Sequence, residues 1–339
     1  MGEHRVDPSR FLLPSRRRFL RGLTAAAAMA WRPAPARAEP PPETTKLRLV
    51  QRPVICWAPI YVAEALFRSE GFSDVAYLKK QAGGDNYKAI ASGEADLTLG
   101  FVAPLLVRMD AGDPIVFLAG GHVGCLQLFG NDRIRAIHDL KGKTVAGDAG
   151  VNLFLASMLS YVGLDPRTDV KLLARAEAEA VQLFADGKVD AVMLSPPFPQ
   201  QLLARKVGHV VLNTAVDRPW SQYFCCMVTA NREFVRKNPV AAKRALRAIA
   251  KSADLCALEP NSVARTLIDR GFVSDYDDAA QALRDVPYRK WRDYDPADTI
   301  RFYALRLHET GFIKSSPQKL VTQGTDWRFL NELKKELKS

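Results

Sequence analysis

Ile90-Ala91-Ser92-Gly93-Glu94-Ala95-Asp96-Leu97-Thr98-Leu99 and Phe184-Ala185-Asp186-Gly187-Lys188-Val189-Asp190-Ala191-Val192-Met193 repeat one pattern at an offset of 94 residues. Each reads as a helix end, a glycine cap in the left-handed region, an acid, and then a buried apolar strand. One such unit is an ordinary helix-to-strand connection. Two at corresponding places predict two lobes of similar build. Around them lie short strand candidates at 46–50, 76–79, 97–99, 115–119, 144–146, 191–194 and 210–212. Helical stretches at 58–67, 87–91 and 152–161 alternate with these strands, which is the pattern of parallel α/β layers. From Asn231 onward the pattern turns helical, with apolar stripes over 239–256 and 295–311.

The chain has 339 residues, 47% of them apolar, enough for roughly two domains and too many for a disordered chain. No apolar run approaches the ~18 residues a membrane-spanning helix needs. The net charge of +11 is concentrated at the start, where eight arginines face two acids in the first 38 residues. The remaining +5 is spread thinly, without the basic and aromatic clusters of a nucleic-acid surface, so nucleic acid is excluded as a partner.

Ser15-Arg16-Arg17-Arg18-Phe19-Leu20-Arg21, the small-residue run Gly22 to Ala30, and Ala36-Arg37-Ala38 form the three parts of an export signal. The paired arginines with Phe and Leu at fixed offsets resemble the twin-arginine type. Cleavage after Ala38 is expected to leave a mature periplasmic protein starting at Glu39. Cys56, Cys125, Cys225, Cys226 and Cys256 show no CxxC spacing and read as small buried hydrophobes. Adjacent Cys225 and Cys226 would point to opposite faces of a strand, so no metal and no cofactor is expected.

GxSxG, HExxH, P-loop and GxGxxG motifs are all absent. The five histidines lie far apart, and among them His122 alone follows a strand closely enough to face a cleft. Asp96 and Asp190 sit at strand starts and read as caps. With no catalytic constellation, binding is expected and an enzyme is not.

Six stretches then carry a family resemblance: Ala58-Pro59-Ile60-Tyr61-Val62-Ala63, Ala91-Ser92-Gly93-Glu94-Ala95-Asp96, Gly112-Asp113-Pro114-Ile115, Asp139-Leu140-Lys141-Gly142-Lys143-Thr144-Val145, Gly187-Lys188-Val189-Asp190-Ala191 and Asn231-Arg232-Glu233-Phe234. In order and spacing, over about residues 46–260, they resemble the periplasmic solute-binding proteins of the nitrate/sulfonate/taurine ABC-importer family. Those share a fold with thiamine-pyrimidine synthase. The resemblance implies a two-lobed periplasmic-binding-protein fold (type II), each lobe a mostly parallel sheet flanked by helices, joined by two crossing strands near 124–126 and 224–228. Lobe one would be 46–124 with 229–339, and lobe two 125–228. It further implies a monomer that binds a small molecule and delivers it to an ABC permease in the inner membrane.

The synthase is the alternative. Its cofactor-bearing lysine falls on Gly100, its substrate histidine on Pro104, and its iron-binding cysteine run is reduced to Phe224-Cys225-Cys226. Glycine forms no Schiff base and proline supplies no imidazole.

The expected ligand residues border the gap between lobes. Gly83-Gly84-Asp85-Asn86 and Gly150-Val151-Asn152 open helices whose N–H groups attract anions, although Asp85 as a cap would occupy those donors itself. Trp57, Tyr61, Phe101, Phe154 and Tyr223 lie at or near strand ends, where each reads either as a cleft wall or as packing. Ser195-Pro196-Pro197-Phe198 follows a strand at the carboxyl end, where α/β ligands bind, so Ser195 and Pro197 join the set, with His122. No Arg or Lys is expected in these loops, which favours a small organic solute with an anionic or polar head over a bare anion.

Overall fold

The first strand, β1 (Lys46–Gln51), exposes Lys46 and Arg48 and buries Leu47 and Leu49. This alternation places one face of its sheet on a core. The structure, a computed structural model, describes residues 39–52, 54–80 and 85–337. The export signal therefore lies outside the described residues.

Nine further strands follow: β2 (Asp74–Lys79), β3 (Leu97–Phe101), β4 (Ile115–Val123), β5 (Gln127–Gly130), β6 (Thr144–Gly147), β7 (Lys171–Ala174), β8 (Ala191–Leu194), β9 (His209–Asn213) and β10 (Phe224–Asn231). They form two five-stranded sheets, ordered β2-β1-β3-β10-β4 and β7-β6-β8-β5-β9. In each, the fourth strand, β10 or β5, runs antiparallel to both its neighbours, and the first three pair in parallel. The two orders correspond strand for strand. Helices flank both sheets, so the two-lobed α/β architecture implied by the sequence is what the chain adopts.

The 94-residue repeat has a physical basis. Gly93 and Gly187 both hold positive φ, at 76° and 68°, which glycine adopts without steric cost. Asp96 then accepts a hydrogen bond from the Arg48 N–H (2.7 Å), and Asp190 accepts one from the Thr144 N–H (3.0 Å). Each carboxylate thus locks the entering strand of its own sheet, as caps do.

Two local expectations are corrected. The helix expected over 58–67 breaks into Ala58–Tyr61 and Glu64–Ser69, because the Tyr61 carbonyl accepts from the Arg270 guanidinium (2.7 Å). The second passage between sheets runs through 214–223. Phe224 and Cys226 are already paired in the first sheet. The β7 edge strand, Lys-Leu-Leu-Ala, is only partly buried and carries no alternation.

From Asn231 the helices cover the first sheet. Asn231 caps the first of them, its Oδ1 accepting from the N–H groups of Glu233 and Phe234. The Pro239–Leu258 helix buries Ala242, Leu246, Ile249 and Ala253 of the expected stripe, with Ala245 beside them, and leaves Val240 half-buried. One apolar core runs through both sheets, and a smaller one, around Phe129, Phe184 and Leu202, lies on the second sheet.

Candidate functional site

The carboxyl ends of β1 and β6 meet at a buried ion pair. Arg52 leaves β1 with 5% exposure, and its guanidinium lies 3.6 Å from the carboxylate of Asp148, which leaves β6. Tyr61 holds the Arg52 backbone at both ends: its hydroxyl donates to the Arg52 carbonyl (2.7 Å) and accepts from the Arg52 N–H (3.1 Å). Tyr61 is itself stacked on Phe272 at 4.6 Å. The guanidinium sits 5.8 Å from the centre of the Trp57 ring, within cation–π range. Asp148 also caps the Ala149–Tyr161 helix by accepting from the Gly150 N–H (2.8 Å).

Glu177, at the start of the Glu177–Ala185 helix, completes the polar floor. It accepts from the Ser195 N–H (2.5 Å) and hydroxyl (2.8 Å), which fixes the turn after β8. Burial pushes its carboxyl up to about 7, against the Ser195 hydrogen bonds and the Arg52 charge. Beside this turn, the Ile55 N–H donates to the Pro196 carbonyl (3.3 Å).

Several polar atoms around the ion pair are buried without a hydrogen-bond partner. They are Arg52 Nε, both side-chain atoms of Asn86, Tyr87 Oη and Asn152 Oδ1. Buried polar groups are normally satisfied, and each orphan costs about 1–3 kcal/mol. A Cβ on Gly150 would lie 3.2 Å from Asp148 Oδ1 and 3.5 Å from Tyr87 Oη, so these groups crowd one spot. Donors and acceptors are both present. Alongside, a crevice of about 520 Å³ runs between Ile55, Pro197, Phe198 and Gln201 on one side and Gly271 to Asp275 on the other.

Of the residues expected at the ligand, Trp57, Tyr61, Asn152 and Ser195 gather around Arg52 and Asp148. Pro197 lines the crevice. Phe101 and Phe154 are instead buried packing, Phe154 against Tyr303 at 4.8 Å. Tyr223 stacks on Phe302 at 4.1 Å, outside this group. Asp85 is exposed and paired with Lys88 at 3.3 Å, and Gly84 lies outside the described residues. His122 is fully buried, edge-on to Tyr288 at 5.6 Å, among cysteines.

The expectation that no Arg or Lys occupies these loops is overturned by Arg52. Sequence reasoning also missed Tyr87, Asp148 and Glu177, and reached Asn86 only as part of the Gly83-Gly84-Asp85-Asn86 segment. A signal existed for two of them: Arg52 and Asp148 each stand directly after a strand, where α/β folds bind ligands.

A sequence model of the NMT1-like family matches residues 40–268. A 4-amino-5-hydroxymethyl-2-methylpyrimidine phosphate synthase of Saccharomyces cerevisiae is 25% identical over 229 residues, 62% of this chain. The match spans 66% of that relative's length. The periplasmic nitrate-binding protein NrtA from Synechocystis PCC 6803 superposes with a TM-score of 0.75 at 18% identity, covering 88% of this chain and 90% of that one. The alkanesulfonate-binding protein SsuA from Xanthomonas axonopodis pv. citri, bound to MOPS, gives 0.69 at 19% identity, covering 86% and 99%. The periplasmic-binding-protein fold is therefore the fold of this chain. Among the described residues, no helix is long and apolar enough to cross a membrane.

Proposed function

The chain belongs to the NMT1-like family, and from that premise we propose that it is the solute receptor of an ABC importer. In this reading, residues 1–38 direct export to the periplasm. Residues 46–124 with 224–339, which carry the first sheet, form one lobe, and 125–223, which carry the second, form the other. A small organic solute with an anionic or polar head is captured between them and passed to an inner-membrane permease.

One observation carries this reading: a buried Arg52–Asp148 pair joins the two sheets amid orphaned donors and acceptors. Arg52 offers charge to an anionic head. Asp148, Tyr87 and Asn152 offer partners to the rest of a polar molecule. An ion without donors would meet the two carboxylates unfavourably, which supports an organic solute. Solute-bound closure also accounts for polar groups held away from water, since burying them unpaired is costly.

The synthase relatives give the second reading its footing. Against it, the position of the synthase lysine is Gly100, inside β3. A Cβ there would lie 2.8 Å from Leu105 and 3.0 Å from Tyr87. A lysine stem has no room at that place, and Pro104 has no titratable group.

Native mass spectrometry of the freshly purified chain, followed by thermal-shift titration with taurine, alkanesulfonates, nitrate and short amino acids, tests the proposal. One small organic molecule per chain, raising the melting temperature, is the expected result. Pyridoxal phosphate absorbance, with no shift by any solute, would overturn it.

A further inference from the structure

Four side chains that are distant in sequence converge where the chain passes between its two sheets. Cys56 lies in the turn Ile55–Trp57, His122 near the end of β4, Cys125 in the 124–126 link, and Cys226 in β10. Their sulfur and ring-nitrogen atoms all lie within 4.8 Å of one another, and all four side chains are buried. The convergence is built by the backbone. His122 and Cys226 are directly paired across β4 and β10. Glycines let these strands close: a Cβ on Gly120 would strike the Phe224 ring at 2.3 Å, and one on Gly121 would lie 3.1 Å from the Cys226 carbonyl.

The histidine supplies an independent observation. His122 is 0% exposed, its Nδ1 lies 3.4 Å from the Val123 carbonyl, and its Nε2 has no hydrogen-bond partner. A fully buried imidazole used only for packing normally satisfies both nitrogens. An orientation fixed through Nδ1 with the other nitrogen left over is the arrangement of a metal-ligating histidine.

We propose that Cys56, His122, Cys125 and Cys226 form a binding site for a single soft d10 cation, Zn(II) or Cu(I). Three sulfurs and one imidazole, with no oxygen in the set, select such ions over Mg, Ca or Mn. A tetrahedral ion with bonds of about 2.0–2.3 Å brings its ligands within about 4 Å of one another, which the observed spread already approaches. Each thiol that binds releases its proton to solvent. The set shares only Cys226 with the Phe224-Cys225-Cys226 run and draws on four separate segments. An ion there ties β1's exit, β4, the 124–126 link and β10 into one hinge. The inference stands apart from the identity of the cleft solute.

The full-length chain, reduced anaerobically and stripped by a chelator, is titrated with Zn(II), Cu(I) or Co(II) alone. One equivalent per chain, a higher melting temperature, and the intense visible bands of tetrahedral thiolate-bound Co(II) are expected. Cys56→Ser and His122→Gln should each lose the stoichiometric equivalent, whereas Cys256→Ser, a buried cysteine outside the set, should keep it. No uptake by the reduced wild-type chain would overturn the inference, as would a pale, octahedral Co(II) spectrum. Should the variants fail to fold, the wild-type cobalt spectrum decides alone. Cleft-solute binding is measured separately on metal-free protein, so the two proposals fail independently.

Discussion

Arg52 and Asp148 occupy the same place in the two sheets, each the first residue beyond its strand, and they meet at 3.6 Å with both side chains about 95% buried. The first three strands of each sheet are parallel and correspond in order, so their exits face one another. In the receptor reading proposed above, the pair is the polar latch of the closed form. In a chain without solute, a buried pair gains little over an apolar substitute, but removing one partner strands the other charge.

Arg52→Met is therefore expected to lower the unfolding free energy by about 3 kcal/mol, near the low end of measured costs for stranded buried charges. Arg52→Met with Asp148→Leu should recover most of the loss. Urea unfolding of the wild type, the single variant and the double variant checks this. A double variant no more stable than the single would show that the pair is not what the latch depends on.

The two strand-locking carboxylates give a matched test. Asp96 accepts from the Arg48 N–H and forms a salt bridge with its guanidinium at 2.6 Å. Asp190 accepts from the Thr144 N–H and reaches the Asn131 side-chain amide at 3.5 Å. Each substitution to alanine leaves a strand N–H without its acceptor, at a cost of about 1–3 kcal/mol. Asp96→Ala should be the more damaging, because it also leaves Arg48 without its partner. Denaturant midpoints of both variants give the comparison directly.

The repeat was readable because its parts act locally: a glycine with positive φ ends a helix, and the acid three residues on caps the next strand. Strand order was less accessible. β10 pairs with β3 although about 120 residues separate them, and nothing in either segment names the other. Arg52 escaped for a related reason. A charged residue after a strand looks solvent-exposed until Tyr61, nine residues on, and Asp148, in the other sheet, are known to enclose it. The cysteines escaped because Cys56 and Cys226 are brought together by topology, with no local spacing to mark them. The resemblance supplied the fold; the burial of particular charges came only with the tertiary contacts.

Trp57 is completely buried, with its ring against the Arg52 guanidinium. Its removal takes away a core side chain and the apolar support of the latch together. Trp57→Ala should cost about 3–5 kcal/mol of stability. Trp57→Phe, which keeps an aromatic face for the cation, should cost distinctly less. Melting temperatures of the unliganded proteins test the order, and equal losses in the two variants would deny the cation–π contact any part in it.

Glu177 makes stability depend on pH in a direction opposite to that of a salt-bridged carboxylate. Its carboxyl is pushed by burial from an ordinary 4.5 to about 7 in the folded chain. Between those values the folded state holds a proton that the unfolded chain has released. Stability therefore falls as pH rises from about 4.5 to about 7, and this contribution is flat above that range. At ~1.4 kcal/mol per unit the loss is at most about 3 kcal/mol, reduced by whatever water reaches the carboxylate. Glu177→Gln keeps an acceptor for the Ser195 N–H and cannot ionise, so it should flatten the profile and stabilise the chain at pH 8 relative to pH 5. Unfolding free energies of both proteins at these two pH values decide the matter. A parallel pH dependence in wild type and variant would assign it to another group.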